Sequence, residues 1–378
     1  MTVAPHIRAD DTLALDWYAR ARPLCLARLK ESRDQTTGLF SRQLRNGGWS
    51  RTLGTEAATS TAISLVALNR VGADLLSPVE TEHSLRALAA EVRTSGYRGA
   101  LGVALWANAV AGGVDFEHFL SACGVAESDL GALMRSGNSM ELSWLLSGLL
   151  HERLRAPKPS TDRFCREVQA VLLERQRPIG LFMHAGREAR FAQRIRRHVA
   201  TFADQIYSIL ALAYSAIALG EGLVLLACRC ADALLARQGP LHQWWWHYKP
   251  DSGAVSRHYP IYAVHQHGMA PMAFLALAAA GAHAYRRHAW PGLEWIRTNE
   301  LGCDLFDPIA GTVWRDVHVE RGRIGGWLRE VGELAGFAVD GSAPVGLALN
   351  RETRPYEWAW CLMAEALLTS RPPPQHLA

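Results

Sequence analysis

The sequence predicts an all-α protein of six helical hairpins, with a ring of inner helices enclosed by a ring of outer ones. Four segments share one pattern, a polar or aromatic head followed by an apolar run rich in Ala and Leu: 54–72, 202–220, 264–281 and 354–368. Their tails are apolar on nearly every side, and a helix hydrophobic all round is buried. Segments 14–32, 161–176, 221–238 and 283–300 instead mix charge with apolar residues at three- and four-residue spacing. That is the pattern of an outer helix with one wet face.

The elements follow in chain order. The outer helix at 14–32 leads through the Gly/aromatic loop 36–40 to the inner helix 54–72, which ends in Gly72. Glycine there suits a left-handed helix cap. Two weaker pairs, 84–113 and 116–154, supply the second and third hairpins. The fourth joins 161–176 through loop 177–184 to 202–220, and the fifth joins 221–238 through QGPLHQWWWHY (238–248) to 264–281. The sixth runs from 283–300 through loop 307–316 to 354–368. One short β excursion is expected near 312–327, where WRDVHVE alternates. No Pro/Ser-rich linker divides the chain, so residues 1–378 are read as one domain. Closing the hairpins in a ring buries the inner helices against one another, which accounts for their apolar surfaces.

Composition narrows the function. Forty Lys and Arg against 36 Asp and Glu leave a net charge of only +4, too weak and too evenly spread for a nucleic-acid footprint. No uninterrupted apolar run reaches the roughly 18–20 residues of a membrane span. The N-terminal segment carries Asp10 and Asp11 and no apolar signal core, so no export is expected. Seven cysteines without a CxxC pair read as reduced thiols in a cytoplasmic protein. A homo-oligomer stays open.

This plan resembles the (α/α)6 toroid of six-hairpin carbohydrate-active enzymes: glycosidases, unsaturated glucuronyl hydrolases, N-acylglucosamine 2-epimerases and uronyl epimerases. The resemblance spans most of the chain and lies in the architecture. A second group with inner and outer α-rings includes class II terpene cyclases, protein prenyltransferases and lanthionine cyclases. QGPLHQWWW loosely resembles the Q-x-x-x-G-x-W repeat of the terpene cyclases, but their D-x-D-D motif and the lanthionine cyclases' zinc set are absent.

In such toroids the loops before the inner helices open into one funnel. The heads here supply Glu56, Asp204, Gln205, His265, Gln266, His267, Tyr356, Glu357 and Trp358. Buried charge costs several kcal/mol unless paired, so an apolar core has no structural use for so many ionisable groups at one end. The densest cluster, 242–271, holds His242, His247, His258, His265 and His267 with Trp244 to Trp246 and Tyr262. Histidine suits proton transfer near neutral pH. Flat aromatic faces beside polar groups suit a sugar ring, although three consecutive Trp cannot all face one way.

Asp204 either caps its helix or does chemistry. Arg187 and Arg194, in an arginine-rich stretch before that helix, could hold a carboxylate, or lie in a solvated loop. Glu56 follows Arg51 in GGWSRTLGTE and is either a first-turn acid favoured by the helix dipole or a catalytic carboxylate. Asp316, His318 and Glu320 would share one face of a strand, as a metal array or an exposed hairpin. No ligand set has convincing zinc spacing, and no G-x-S-x-G, H-E-x-x-H or G-x-G-x-x-G motif sits in a fitting context.

The expectation is an enzyme that acts on a sugar or a uronic-acid-containing glycan by acid/base catalysis, without cofactor or metal, by hydrolysis, epimerisation or β-elimination. The acid and base are sought among His265, His267, Asp204, Glu56 and Glu357, with Glu56, Asp204, His265 and Glu357 opening on one cavity. Trp244, Trp246, His247, Tyr262, Gln205, Gln266, Trp358, Arg187 and Arg194 would bind the small-molecule or oligosaccharide substrate. An isoprenoid cyclase or transferase with a dry aromatic pocket, and a non-catalytic glycan-binding toroid, are the alternatives.

Overall fold

The computed structural model describes residues 9–45, 47–50, 55–72, 75–220, 222–320, 323–335, 337 and 345–369. Arg51 lies outside them. The chain winds through six outer-to-inner pairs. Outer α1 (Ala9–Ser32) leads to inner α2 (Thr55–Arg70), with β1 (Gln43–Arg45) and β2 (Gly48–Ser50) between. Outer α3 (Pro78–Thr94) leads to inner α4 (Leu101–Val110). The short outer helices α5 (Phe116–Ala122) and α6 (Leu130–Ser136) lead to inner α7 (Ser139–Arg155). Outer α8 (Pro159–Leu173) leads through α9 (Phe191–Ile195) and β3 (Ala200–Thr201) to inner α10 (Phe202–Leu219). Outer α11 (Val224–Leu235) leads through β4 (His247–Tyr248), β5 (Val255–Arg257) and β6 (Ile261–Tyr262) to a π-turn, His265–Met269, and inner α12 (Ala270–Ala279). The 3₁₀ segment His283–His288 and α13 (Gly292–Thr298) form the last outer layer. After them come β7 (Phe306–Asp307), β8 (Thr312–Val313), β9 (Asp316–Val319), α14 (Arg323–Leu334), β10 (Leu347–Asn350), β11 (Glu352–Thr353) and inner α15 (Pro355–Thr369).

Each inner helix packs on the next, and α15 returns to α2, so the ring closes. Trp144, Tyr207, Trp360 and Trp106, from four inner helices, pack in succession with centroids 5.5–6.1 Å apart. The Trp360 indole donates to the Tyr207 hydroxyl at 2.7 Å, so this aromatic column has one polar joint. By length and composition alone α10 would pass for a membrane span, although Asp204 and Gln205 interrupt its apolar run; here 72% of it is buried.

Helices α4 and α7 approach closely because two glycines face each other. A Cβ on Gly102 would lie 2.2 Å from the Leu145 amide nitrogen, and one on Gly148 2.5 Å from the Gly102 carbonyl oxygen. Both obstacles are backbone, which cannot swing aside. Gly102→Ala should therefore cost about 1–3 kcal/mol by overpacking, and thermal melts should fall by several degrees. An unchanged melting temperature would show that the two helices can slide apart freely.

The strand predicted near 312–327 forms at Asp316–Val319, but helix α14 takes the segment over from Arg323. More strands exist than the one expected, each two to four residues long. They join the loops that precede inner helices. β3 pairs with β4, β6 with β9, and β1 with β11, all antiparallel. An isolated bridge, Asn138 to Ala185, ties the loops before α7 and α10. These pairings stitch the inner-helix heads into a rim. The seven cysteines, all described, form no disulfide.

Candidate functional site

Four inner helices carry an acid in the first turn, and hydrogen bonding separates their roles. In α7 and α10 the acid closes a capping box. The Asn138 amide nitrogen donates to Glu141 Oε2 at 2.8 Å, and the Thr201 amide nitrogen donates to Asp204 Oδ2 at 2.8 Å. Such boxes satisfy amides that the helix itself leaves orphaned. Asp204 also accepts from the Thr201 hydroxyl at 3.0 Å and the Met140 amide at 3.2 Å, and pairs with His184 Nδ1 at 2.8 Å. Both its oxygens are engaged and it is fully buried. Burial pushes its carboxyl up, but the His184 charge and the hydrogen bonds of His184 and Thr201 outweigh that and hold it below the usual range. Glu141 likewise meets Arg190 at 3.2 Å. Glu56 is half exposed and lies between Arg42 and Arg354.

Glu357 differs. Its Oε2 does the capping, accepting from the Thr353 hydroxyl at 3.1 Å and the Arg354 amide at 3.2 Å. Its Oε1 is buried and makes no hydrogen bond. Burial pushes the carboxyl up to about 7, against the opposing charges of Arg315 and Arg354 and with help from Asp316. The side chain thus changes protonation near neutral pH, with one oxygen that accepts no hydrogen bond.

Arg315 is the hub beside it. It donates to Glu352 at 2.9 Å, lies 3.6 Å from Glu357 Oε1 and 3.9 Å from Asp316, and sits 5.1 Å over the Tyr262 ring. Its backbone is clamped too: the Arg315 amide donates to the Glu352 carbonyl, and its own carbonyl accepts from the Ala263 amide. Ion pairs run on from Glu352 to Arg354, Glu56 and Arg42. Asp316 accepts from Asn350 at 2.8 Å and faces His318 at 3.2 Å.

An aromatic wall adjoins this charge cluster. Tyr262 meets Trp246 at 4.8 Å and His265 at 5.2 Å, and Trp246 lies nearly parallel to His265 at 6.0 Å. Burial, with the charges of His267 and Arg315, lowers His265 to about 3, so its ring is neutral near pH 7. It can hydrogen-bond a ligand there but is too weak a base to hold a proton. Of the sequence candidates, Glu357 and Tyr262 therefore meet Arg315 directly, while Glu56 joins it through Arg354 and Glu352, and Trp246 and His265 through Tyr262.

Other candidates do not join them. His267, two residues on, faces α1 instead, stacked 5.7 Å from Trp17 with both ring nitrogens unbonded. Trp244 is core, between Phe202 and Phe274. Gln205 clasps the Phe182 backbone, donating at 2.8 Å and accepting at 2.7 Å. Gln266 donates to the Tyr262 carbonyl, and Trp358 is buried with its indole donating to Thr312. His247 stacks on Trp246, but its Nδ1 is held by Glu333 at 2.8 Å. Arg194 lies over Phe191, and Arg187 lines a separate cavity of about 420 Å³ with Arg197 and His198. Asp316 and His318 share a face, while Glu320 is exposed at the strand's end. Among the described residues no group of three His, Cys, Asp or Glu is placed to hold a metal.

No protein-family model matches the chain, and no curated protein matches it in sequence. Solved structures do. An unsaturated glucuronyl hydrolase described as specific for heparin aligns with a TM-score of 0.61 at 14% identity, over 94% of this chain and 96% of that one. The unsaturated glucuronyl hydrolase of Streptococcus agalactiae gives 0.57 at 11% identity, over 97% and 98%. A polysaccharide lyase gives 0.52 at 10%, over 95% and 97%. The chain is an (α/α)6 toroid. At these identities the likeness is one of fold, and function has to be argued from the site.

The reading from sequence missed the hub of this toroid. Arg315 stood between Trp314 and Asp316 in a stretch read only for its D-x-H-x-E face. An arginine inside an alternating, half-buried run was the available signal. His184 and Glu333 were missed because their partners, Asp204 and His247, lie 20 and 86 residues away.

Proposed function

We propose that the toroid is a glycan-cleaving enzyme in which Glu357 is the general acid. The observation that carries this reading is Glu357 Oε1, which accepts no hydrogen bond, on a carboxyl pushed up to about 7 and facing Arg315, which in turn lies over the Tyr262 ring. Cleaving a glycosidic bond requires a proton on the departing oxygen, whether water or an elimination completes the reaction. Epimerisation also needs a proton donor, so the preference for bond cleavage rests on the fold likeness to glycan-cleaving enzymes. Asp316 is the second carboxylate of the pair. Arg315 positions Glu357 and Tyr262, the part-exposed Trp246 and Tyr262 offer aromatic surface for a sugar ring, and neutral His265 hydrogen-bonds a ring hydroxyl. The fold likeness to unsaturated glucuronyl hydrolases and a polysaccharide lyase supports the substrate class. The polarity around Arg315 argues against the isoprenoid alternative, which needs a nearly dry pocket with one strong acid.

The test is turnover of a panel of saturated and Δ4,5-unsaturated uronyl disaccharides and neutral oligosaccharides, followed by reducing ends and absorbance. Cleavage of one class that is lost in Glu357→Gln supports the reading; binding without cleavage would favour the non-catalytic alternative. Trp246→Ala should raise KM about tenfold, the scale of one aromatic contact, with a smaller change in kcat. Equal losses in kcat and kcat/KM with KM unchanged would instead place Trp246 in the chemical step.

A further inference from the structure

The cavity of about 420 Å³ that holds Arg187 lies among the loops before α10. Arg177, Met183 and Arg187 line it from the segment between α8 and α9, Arg197 and His198 from the stretch before β3, and Asp251 from the turn between β4 and β5. Nothing in the proposed chemistry uses these side chains.

Among the described residues its walls hold three arginines against one carboxylate. Asp251 Oδ1 is taken by Arg177 Nε at 2.6 Å. No described carboxylate pairs with Arg187 or Arg197. The acids close to them in the chain are committed elsewhere, Glu188 to Arg135 at 3.0 Å and Asp204 to His184 at 2.8 Å. Two positive charges are thus left over, before any on His198. Arg187 and Arg197 are exposed and His198 is half-buried, so a ligand can reach all three. The loops that carry them are pinned together. The His184 amide donates to the Arg197 carbonyl at 3.2 Å, the Met183 amide to the Arg175 carbonyl at 3.0 Å, and Ala185 bridges to Asn138. The arginines therefore converge on a backbone already ordered, which lowers the entropy that binding costs. Arg175 stands behind the same wall. Its guanidinium is buried, both terminal nitrogens lack hydrogen-bond partners, and Nη2 lies 3.5 Å from where a Cβ on Gly186 would sit.

The donors select the anion. A carboxylate brings one charge and two oxygens. A phosphomonoester brings roughly −1.5 to −2 charge near pH 7 and three acceptor oxygens, which matches two guanidiniums and an imidazole. The volume is that of a small-ligand pocket, roughly 300–1,000 Å³, and exceeds what a bare ion fills. We infer that this cavity is a second binding site, for the phosphomonoester of a small hydroxylated molecule such as a sugar. The phosphate sits between Arg187, Arg197 and His198, the carbon skeleton covers Met183, and a hydroxyl donates to Asp251. The site stands independently of the proposed glycan chemistry around Glu357.

The probe is glucose 6-phosphate, titrated calorimetrically into the full-length protein at about 0.15 M salt, where long-range charge effects are screened. Saturable one-to-one binding is expected. It should be tighter than that of glucose 6-sulfate, which carries a single charge, and of inorganic phosphate, which has no carbon skeleton. Arg187→Gln and Arg197→Gln should each weaken it about ten- to hundredfold, the scale of a hydrogen bond to a charged group. Neither should lower the melting temperature, because neither side chain has a carboxylate partner to lose. Arg297→Gln removes the same charge from α13 and should leave the affinity unchanged, as should Glu357→Gln. Absence of saturable binding at millimolar probe would overturn the inference, as would equal affinities of wild type and the Arg187→Gln/Arg197→Gln double variant. Equal affinities for the three anions would also overturn it, reducing the cavity to an unselective cationic patch. So would binding that Glu357→Gln weakens and the arginine variants do not, since it would put the probe at the glycan site.

Discussion

Glu357→Gln is expected to lower turnover by roughly 10²- to 10⁴-fold, the usual worth of a general acid, while the protein stays folded. The amide can still accept from Thr353 and Arg354, so the helix cap survives. What it loses is the proton at Oε1. The pH profile supplies an independent readout: with the folded carboxyl at about 7, the wild-type rate should fall as pH rises through that value. Stability should fall with rising pH as well, over a lower range. A carboxyl raised in the folded state makes the unfolded state relatively more favourable as pH climbs from the unfolded value toward 7. At pH 8 Gln removes that buried charge, so the variant should melt no lower than wild type. A residue that merely held the fold would show lost activity together with lost stability. Near-normal turnover in a folded Glu357→Gln would remove this residue as the acid and leave Asp316 to be tested.

The rings were legible because burial writes itself into helical periodicity. Segments such as 202–220 are apolar around the whole helix, and only a second layer of helices can cover them. The rim strands were not legible, since two to four residues give too short an alternation to distinguish from a loop. The site was legible as an end of the molecule rather than as a set of roles. Head position marked Glu56, Asp204, His265 and Glu357 alike. What separates them is who donates to each oxygen or nitrogen, and those donors come from elsewhere in the chain: Met140 and His184 to Asp204, Arg42 to Glu56. His265 and His267 show the same limit. Two residues apart on a helical turn they face different sides, and only the packing of Trp17 and Tyr262 reveals which faces the Arg315 cluster.

Asp204→Ala is expected to be the most destabilising of the substitutions considered. It removes the carboxylate half of the α10 capping box, the link to the Met140 amide and the partner of His184 at once. Breaking a buried pair by deleting one member typically costs about 3–5 kcal/mol, so the melting temperature should fall on the order of 10 °C. The pH dependence fixes the cause. Asp204 is held below its ordinary value, so its contribution is present above the unfolded carboxylate pKa of about 4 and is lost as pH falls through the folded one. For His184, burial works downward but the charge and hydrogen bond of Asp204 win, leaving it raised. Its contribution is present below the unfolded value of about 6.5 and is lost as pH rises through the folded one. The pair therefore stabilises α10 most between about pH 4 and 6.5. Melts of wild type and Asp204→Ala from pH 4 to 9 should differ most inside that window, and the gap should narrow above it to the share of the capping box and the Met140 link, as His184 loses its proton. A constant gap across the range would assign the loss to the helix cap alone. Asp204→Asn, which keeps an acceptor for the cap, should fold and retain most of its turnover. A collapse of turnover in folded Asp204→Asn would instead return Asp204 to the chemistry and displace Asp316 as the partner of Glu357.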